Sequence, residues 1–231
     1  MSSAHALSKP ASANRNHPRL RALPECARLS DLLEDLGGID PRRVILKPPP
    51  GSAKQADMLR INELKITLCE LVDGTLVEKG MGFEESELGA FLIHALLSFL
   101  THHDLGIVAG ESGGLRLRPG LIRVPDVSFI SWDMIPDRDR PRAAVPKIAP
   151  TLAVEILSKS NTRAEIDRKI REYFAAGSQL VWIIDPKTQT VRVHTSVSES
   201  SLLAKNDTLD GGTVLPGFQL KLKNFFEKRL G

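Results

Sequence analysis

Apolar and polar positions alternate along the chain in patterns that predict both strands and helices. Two β-rich runs flank Asp73 and Gly74, and an Asp-Gly pair between such runs is a strong hairpin signal. A long helix is predicted over residues 83 to 102, because apolar residues recur there with helical spacing. Its apolar side carries Leu88, Phe91, Leu92, Ala95, Leu96 and Phe99. The pattern therefore favours a mixed α/β core.

Residues 123 to 185 predict the order strand, strand, helix, strand. Strand-like runs occupy residues 124 to 132 and 151 to 157, and a third apolar run follows at 180 to 185. The helix between the last two runs is capped by Asn161 or Thr162 and ends at Gly177. Because both flanking runs are almost continuously apolar, they are typical of a buried parallel pair joined by a helix.

The rest of the pattern predicts smaller elements. Ser30 and Ser52 are predicted to cap two short helices. The runs at residues 106 to 109, 114 to 118 and 124 onwards predict an antiparallel meander, because Gly and Pro turns separate them. Residues 207 to 217 are turn-rich, and the chain ends with a strand end or a short helix.

Composition narrows the class of protein. A chain of 231 residues with 42% hydrophobic residues can bury a sizeable core. No apolar run approaches the roughly 18 residues of a membrane span, and the first residues lack a secretory signal. Cys26 and Cys69 form no Cys-x-x-Cys motif. These features predict a cytoplasmic protein with no membrane partner.

Charge and composition together suggest three parts. The net charge is only +3, but residues 1 to 28 hold five Lys or Arg against one Glu. We therefore predict a disordered basic arm at residues 1–24, a helical extension at 25–64 and the main domain at 65–231. The weak overall charge gives no case for strong binding to nucleic acid through the whole surface.

Two acids interrupt segments that are otherwise suited to burial. Asp126 and Glu155 each lie in a predicted strand, and unpaired acids are rarely buried. A divalent cation between them would offset their repulsion. Lys169 lies beside the apolar stripe of the following helix, where its ammonium can reach the sheet. The alternatives are that Asp126 ends in a turn, that Glu155 pairs with an arginine and that Lys169 is solvated.

At these residues the sequence resembles the Uma-type restriction endonuclease family of the PD-(D/E)XK nuclease superfamily. The matching segments are ELVDG at 70–74, RVPDV at 123–127, VEILS at 154–158, DRK at 167–169, and VWIIDP at 181–186. Tyr173 and Gly177 also fit. The resemblance spans about residues 65 to 222.

The resemblance implies a fold, a site and an activity. The fold would be a restriction-endonuclease-like α/β core with a mixed central sheet and flanking helices. Asp126 and Glu155 would be metal ligands for Mg²⁺ or Mn²⁺, Lys169 the catalytic lysine, and Glu85 or Glu84 a further acid from the first core helix. The superfamily usually places its lysine two residues after the acid, but Leu157 stands there, so the lysine has moved to the helix.

The resulting hypothesis is a Mg²⁺-dependent endonuclease that hydrolyses phosphodiester bonds of DNA. Lys159 competes with Lys169 for the catalytic role, but it lies in a loop. We also expect a homodimer, because cutting both strands usually needs two sites related by a twofold axis. The apolar pair Phe225 and Phe226 is compatible with such an interface or with the core. The alternative function is a non-catalytic nuclease-fold protein that binds DNA or a protein partner.

A different enzyme class is suggested by residues 110–114, GESGG, which match the Gly-x-Ser-x-Gly nucleophile elbow. That elbow requires a helix directly after Ser112, whereas the residues that follow alternate like a strand. A Gly-rich hairpin turn is therefore the favoured interpretation.

Overall fold

The structure is a computed structural model that describes residues 28–80 and 82–228. The predicted basic arm at residues 1–24 lies outside this range. The described residues form a six-stranded mixed sheet, a five-stranded sheet and a two-stranded hairpin. This arrangement confirms the predicted α/β class.

The helices and strands follow one another in an irregular α/β order. The helices are α1 (Leu29–Asp35), α2 (Gln55–Glu63), α3 (Phe83–Leu100), α4 (Arg163–Ala176) and α5 (Leu222–Phe226). The first strands are β1 (Val44–Ile45), β2 (Cys69–Val72), β3 (Thr75–Glu78), β4 (Gly106–Gly110), β5 (Leu115–Arg118), β6 (Leu121–Arg123) and β7 (Val127–Ser131). The later ones are β8 (Leu152–Ile156), β9 (Leu180–Asp185), β10 (Thr190–His194), β11 (Ser200–Leu203), β12 (Thr208–Gly211) and β13 (Leu215–Lys221).

The six-stranded sheet has the order β11-β10-β9-β8-β7-β4 and a helix on each face. β8 and β9 run parallel and are joined by α4, as the apolar pattern predicts. Thr162 caps α4 by accepting a hydrogen bond from the Glu165 N–H. Gly177 ends the helix with a φ of +109°, which glycine adopts without strain. The helix α4 therefore has fixed ends directly over the parallel pair.

The six-stranded sheet separates two apolar cores, one on each face. Leu88, Leu92 and Leu96 of α3 pack with Val154 and Trp182 on one face. On the opposite face, α4 packs against other residues of the same strands. That smaller core contains Ala153, Ile166, Ile170, Tyr173, Val181 and Ile183.

The five-stranded sheet is antiparallel, with the order β1-β3-β2-β6-β5. Its β2–β3 turn confirms the predicted hairpin at Asp73 and Gly74. Both turn residues have positive φ, 49° and 75°, as in the hairpin turns that Asp-Gly favours. α2 and α1 pack against this sheet through two separate apolar clusters.

Several local predictions are wrong. Arg28 and Lys54, not Ser30 and Ser52, precede the first turns of α1 and α2. In each case the acid at the third helical position accepts a hydrogen bond from the cap N–H, so that carboxylate stabilises the helix start. The predicted meander is also divided between the sheets, since β4 pairs with β7 whereas β5 pairs with β6.

The C-terminal part contains a hairpin that the turn-rich sequence concealed. β12 and β13 pair with a register shift at Asp210 and Gly211. α5 follows and buries both Phe225 and Phe226 in the α3-side core. This phenylalanine pair therefore completes the core, which removes it as support for a dimer interface. In the described part of the chain, no helix is long and apolar enough to cross a membrane.

Candidate active site

Asp126 lies where the chain passes from one sheet to the other. It follows β6 of the five-stranded sheet and directly precedes β7 of the six-stranded sheet. Val127 pairs with Val154, so continuing this register places Asp126 opposite Glu155. The Asp126 N–H donates to the Val154 carbonyl over 3.0 Å, which continues the ladder. Opposed residues have Cβ atoms about 5 Å apart, so the two acids are neighbours on the α4 face.

Both oxygens of Glu155 are held by side chains of α4. The Lys169 ammonium donates to Oε2 over 2.8 Å, and the Tyr173 hydroxyl donates to Oε1 over 2.5 Å. Lys169 and Tyr173 are four residues apart and therefore project from the same side of the helix. The helix positions two donors on one buried carboxylate.

Both oxygens of Asp126 are also engaged. Oδ1 lies 2.8 Å from the Lys79 ammonium, and Oδ2 accepts the backbone N–H of Ile156 over 2.6 Å. Lys79 directly follows β3 and also donates to the Val124 carbonyl. The five-stranded sheet thus supplies the cation for Asp126, whereas α4 supplies the cation for Glu155.

Glu70 of β2 is a third buried acid in the same cluster. Its Oε1 accepts the Val124 N–H over 2.9 Å and lies 3.4 Å from the Lys169 ammonium. Its Oε2 accepts a hydrogen bond from Arg123 over 2.6 Å. Glu70 therefore shares Lys169 with Glu155 and connects the two sheets.

A series of ion pairs extends from Arg123 towards the protein surface. Its guanidinium contacts Glu172 over 2.6 Å, and Glu172 also accepts from Arg168 over 2.7 Å. Arg168 reaches the hairpin turn at Asp73 over 2.6 Å. This chain of alternating charges ties α4 to the five-stranded sheet, so the position of Lys169 is fixed from both sides.

Burial and charge shift the pKa values of these groups in opposite directions. Burial would raise the pKa of Glu70, but the charges of Lys169 and Arg123 outweigh it and hold the value below its usual range. Burial raises the pKa of the Glu155 carboxyl. Burial also disfavours the Lys169 ammonium, but Glu155 and Glu70 outweigh it and raise its pKa. The pKa of Tyr173 is raised by burial and by the charge of Glu155, so its hydroxyl remains a donor.

The donor chemistry of this cluster fits a divalent cation, although its charges already balance. Three carboxylates (Glu70, Asp126 and Glu155) face three cations (Lys79, Arg123 and Lys169), and all six side chains are at most 8% exposed. Carboxylate oxygens suit Mg²⁺ and Mn²⁺. Within residues 28–80 and 82–228, no three His, Cys, Asp or Glu side chains are arranged as a ready ligand cluster. Both oxygens of Asp126 and both oxygens of Glu155 already contact protein donors.

The structure brings together three of the four residues singled out from the sequence. Asp126, Glu155 and Lys169 meet, whereas Glu85 is half-buried in the first turn of α3. No hydrogen bond or ion pair among the described residues joins Glu85 to this cluster. Lys159 is exposed in the loop before α4. Of the two lysines considered, Lys169 is the one that contacts an acid of the site.

Sequence reasoning missed Glu70, Lys79 and the hydroxyl of Tyr173. A signal for Glu70 existed, because it interrupts an apolar strand just as Asp126 and Glu155 do. Tyr173 was noted as a residue that fits the family resemblance, and its hydroxyl was given no role. Nothing local marks Lys79, since its role depends on the meeting of two sheets.

The Gly-x-Ser-x-Gly match has no elbow geometry. Ser112 lies in a turn between β4 and β5, and a strand follows where an elbow needs a helix. Because these strands belong to different sheets, the turn connects sheets and closes no hairpin.

A solved structure supports the fold. A crystal structure of a "putative nuclease belonging to DUF820" from Anabaena variabilis ATCC 29413 is similar, with a TM-score of 0.62 and 23% identity. The match covers 70% of this chain and 91% of the other. The fold is thus restriction-endonuclease-like.

A family model shows the family to which the chain belongs. The Uma2 model, described as "Putative restriction endonuclease", matches residues 56–223. The chain belongs to this family, as the resemblance of its motifs predicts. No curated protein matches the chain significantly.

Proposed function

We propose that the protein is a metal-dependent endonuclease that hydrolyses phosphodiester bonds of DNA. The observation that carries this proposal is the meeting of Asp126 and Glu155 on the α4 face, with Lys169 on Glu155. The family description supports the reaction class. DNA as substrate, Mg²⁺ or Mn²⁺ as cofactor and a homodimeric state belong to the proposal.

Asp126 and Glu155 would hold the cation. When bound, it would polarise a phosphoryl oxygen and lower the pKa of water. The backbone N–H of Ile156 holds Asp126 in place from the neighbouring strand. Tyr173 does the same for Glu155 from α4. Lys79 occupies Asp126 and is the ammonium that the cation would displace.

Lys169 is proposed as the catalytic cation. It would stabilise negative charge that develops on the phosphoryl group, a contribution of about 2.7–4 kcal/mol for one preorganised donor in other enzymes. Its position is reproducible, because Glu155 and Glu70 contact the ammonium and α4 carries its stem. Glu85 remains a predicted further acid, and its removal tests whether α3 takes part.

One observation favours the alternative, a protein of the same fold that binds DNA without cutting it. The three acids of the site are already neutralised by three protein cations, and all six groups are buried. A cluster of this kind can serve fold specificity alone. The two functions differ in whether a divalent cation binds at Asp126.

Cleavage of supercoiled and linear DNA, with Mg²⁺, with Mn²⁺ and with a chelator, tests the proposed reaction. Cleavage should require the cation and should fall about 100-fold or more in Lys169→Met that circular dichroism shows to be folded, since one charge-stabilising donor is lost. Lys159→Met is the matched control, because Lys159 is exposed in the neighbouring loop. Cation-independent cleavage, or equal losses in both variants, would contradict the proposal.

A further inference from the structure

A second concave site lies on the α4 face, one strand away from the candidate active site. α4 covers β8 and β9, whereas β10 and β11 continue beyond it at the sheet edge. The resulting α4–β10 groove has a volume of about 540 Å³. It is lined by α4, β9, β10, Ser200 and the loop before α4. Sites for small organic ligands commonly have volumes of this order.

The groove joins an apolar floor to polar edges. Ile166 and Ile170 of α4 and Ile183 of β9 supply the apolar part. Ile183 is the register partner of Glu155, so the floor begins at the strand next to the candidate active site. An apolar floor of this kind suits a flat aromatic ring system such as a nucleobase.

Positive charge lines the groove. Arg192 of β10 is exposed, and within the described part of the chain its side chain makes only a 3.4 Å hydrogen bond, to Ser200 Oγ. Arg163 opens α4 and lies 3.9 Å from Asp167, the only carboxylate among the lining residues. Two guanidinium groups therefore face one carboxylate, and Arg192 has no ion pair among the described residues.

His194 provides an independent sign of a ligand. It lines the groove two residues after Arg192 on the same face of β10, and it is only 8% exposed. Neither ring nitrogen has a hydrogen-bond partner within the described chain. The Ser196 backbone lies beside the ring without making a hydrogen bond of normal geometry. Buried polar atoms are usually paired, so this imidazole lacks the acceptor that a ligand would supply.

The first turn of α4 adds a preference for anions. The lining includes Asn161, Thr162 and Arg163 at the helix start. A helix N-terminus carries partial positive charge and unpaired N–H groups, which favour phosphate. α4 has 14 residues, so its N-terminus carries the partial positive charge of a long helix.

We propose that the α4–β10 groove binds a nucleoside phosphate, with the phosphate on Arg192 and His194 and the base on the isoleucine floor. The choice of a nucleotide over another organic phosphate rests on the proposed nuclease function. Its source is either a free mononucleotide or the 5′-phosphorylated end of a DNA strand. Both would present the same phosphate and base to the groove.

Calorimetric titration of the full chain with dAMP, deoxyadenosine and inorganic phosphate tests this site. dAMP should bind at least tenfold more tightly than deoxyadenosine. Arg192→Gln and His194→Gln should each weaken dAMP binding about tenfold or more, because a charge-assisted phosphate contact is lost. Arg142→Gln is the matched control, since Arg142 is exposed and outside the groove. Equal binding of dAMP and deoxyadenosine, no binding of either, or unchanged binding in both groove variants would overturn the proposal.

The two sources of the phosphate are separated with short single strands. A 5′-phosphorylated oligonucleotide that competes with dAMP, while its unphosphorylated counterpart does not, assigns the groove to strand ends. Competition by neither oligonucleotide assigns it to mononucleotides. Failure of the nuclease proposal is measured separately by cleavage in the parent protein and in Asp126→Asn, a residue outside the groove. If the parent protein binds dAMP but never cleaves DNA, the groove proposal stands and the nuclease proposal is contradicted.

Discussion

The two faces of the six-stranded sheet use alternate residues of the same strands, and the α4 face combines a smaller apolar core with buried charged groups. In β8, Val154 and Ile156 enter the apolar core beneath α3, whereas Glu155 between them enters the charged cluster beneath α4. Successive strand residues point to opposite faces. The comparison teaches that one strand can supply packing to one side and candidate chemistry to the other, each held by a different helix.

The largest effect on the α3 face should follow from removing Trp182, which is fully buried in its core. Trp182→Ala should lower the free energy of unfolding by about 3–5 kcal/mol. The indole N–H has no hydrogen-bond partner among the described residues, so Trp182→Phe should cost less. Urea denaturation measures both. A loss below about 1 kcal/mol for Trp182→Ala would show that this face is not the main core.

On the α4 face, a single substitution should destabilise the protein because it leaves a charge unpaired. Lys169→Met should cost about 3–5 kcal/mol of unfolding free energy, since Glu155 and Glu70 lose their shared ammonium. Lys169→Met combined with Glu155→Gln should recover part of that loss but no cleavage. Additive losses in the double variant, measured by urea denaturation, would show that the two residues act independently.

A substitution of Lys79 tests whether the charged cluster on the α4 face binds a cation. Lys79→Gln removes the ammonium that occupies Asp126. Mn²⁺ affinity, measured by electron paramagnetic resonance, should then rise about tenfold or more, because a competing charge is gone. Lys159→Gln should leave it unchanged. A weaker or equal affinity in Lys79→Gln would mean that Asp126 does not hold the cation.

Acid should weaken the charged side of the molecule more than the apolar side. Glu165 at the first turn of α4 pairs with Arg43 over 2.8 Å. Burial would raise the pKa of Glu165, but the hydrogen bonds from Arg43 outweigh burial and hold the pKa below its usual range. A carboxyl group whose pKa is lower in the folded state than in the unfolded state stabilises the fold at pH values above the unfolded pKa. That stability is lost as the pH falls. Thermal melting between about pH 5 and pH 3 should show a smaller fall in Glu165→Gln than in the parent. Equal falls would exclude this contribution.

Local signals in the sequence predict much of this fold. The Asp73-Gly74 turn, the Thr162 cap, the Gly177 helix end and the parallel pair each depend on a few adjacent residues. The division of β4, β5 and β6 between two sheets depends on contacts between distant segments. For that reason the predicted meander was wrong. The hairpin of β12 and β13 is local, and it was missed because its sequence is rich in turn residues.

The candidate site also contains residues that the sequence predicts and residues that it does not. Asp126 and Glu155 were predicted because each interrupts an apolar segment, and Lys169 was predicted because it lies beside the apolar stripe of its helix and fits the family resemblance. Lys79 was missed because it lies at the end of an ordinary strand and reaches Asp126 only through the junction of the sheets. The division of the chain at residues 24 and 64 and the homodimer stay predictions.

The central claim is that Asp126 and Glu155 bind one divalent cation. Anomalous diffraction from crystals soaked in Mn²⁺ tests it most directly. The account predicts an anomalous peak between the two carboxylates, with the Lys79 ammonium moved away from Asp126, and no such peak in Asp126→Asn. Crystals saturated with Mn²⁺ that show no peak there, and that retain the contact between Lys79 and Asp126, would contradict the claim and favour the non-catalytic function.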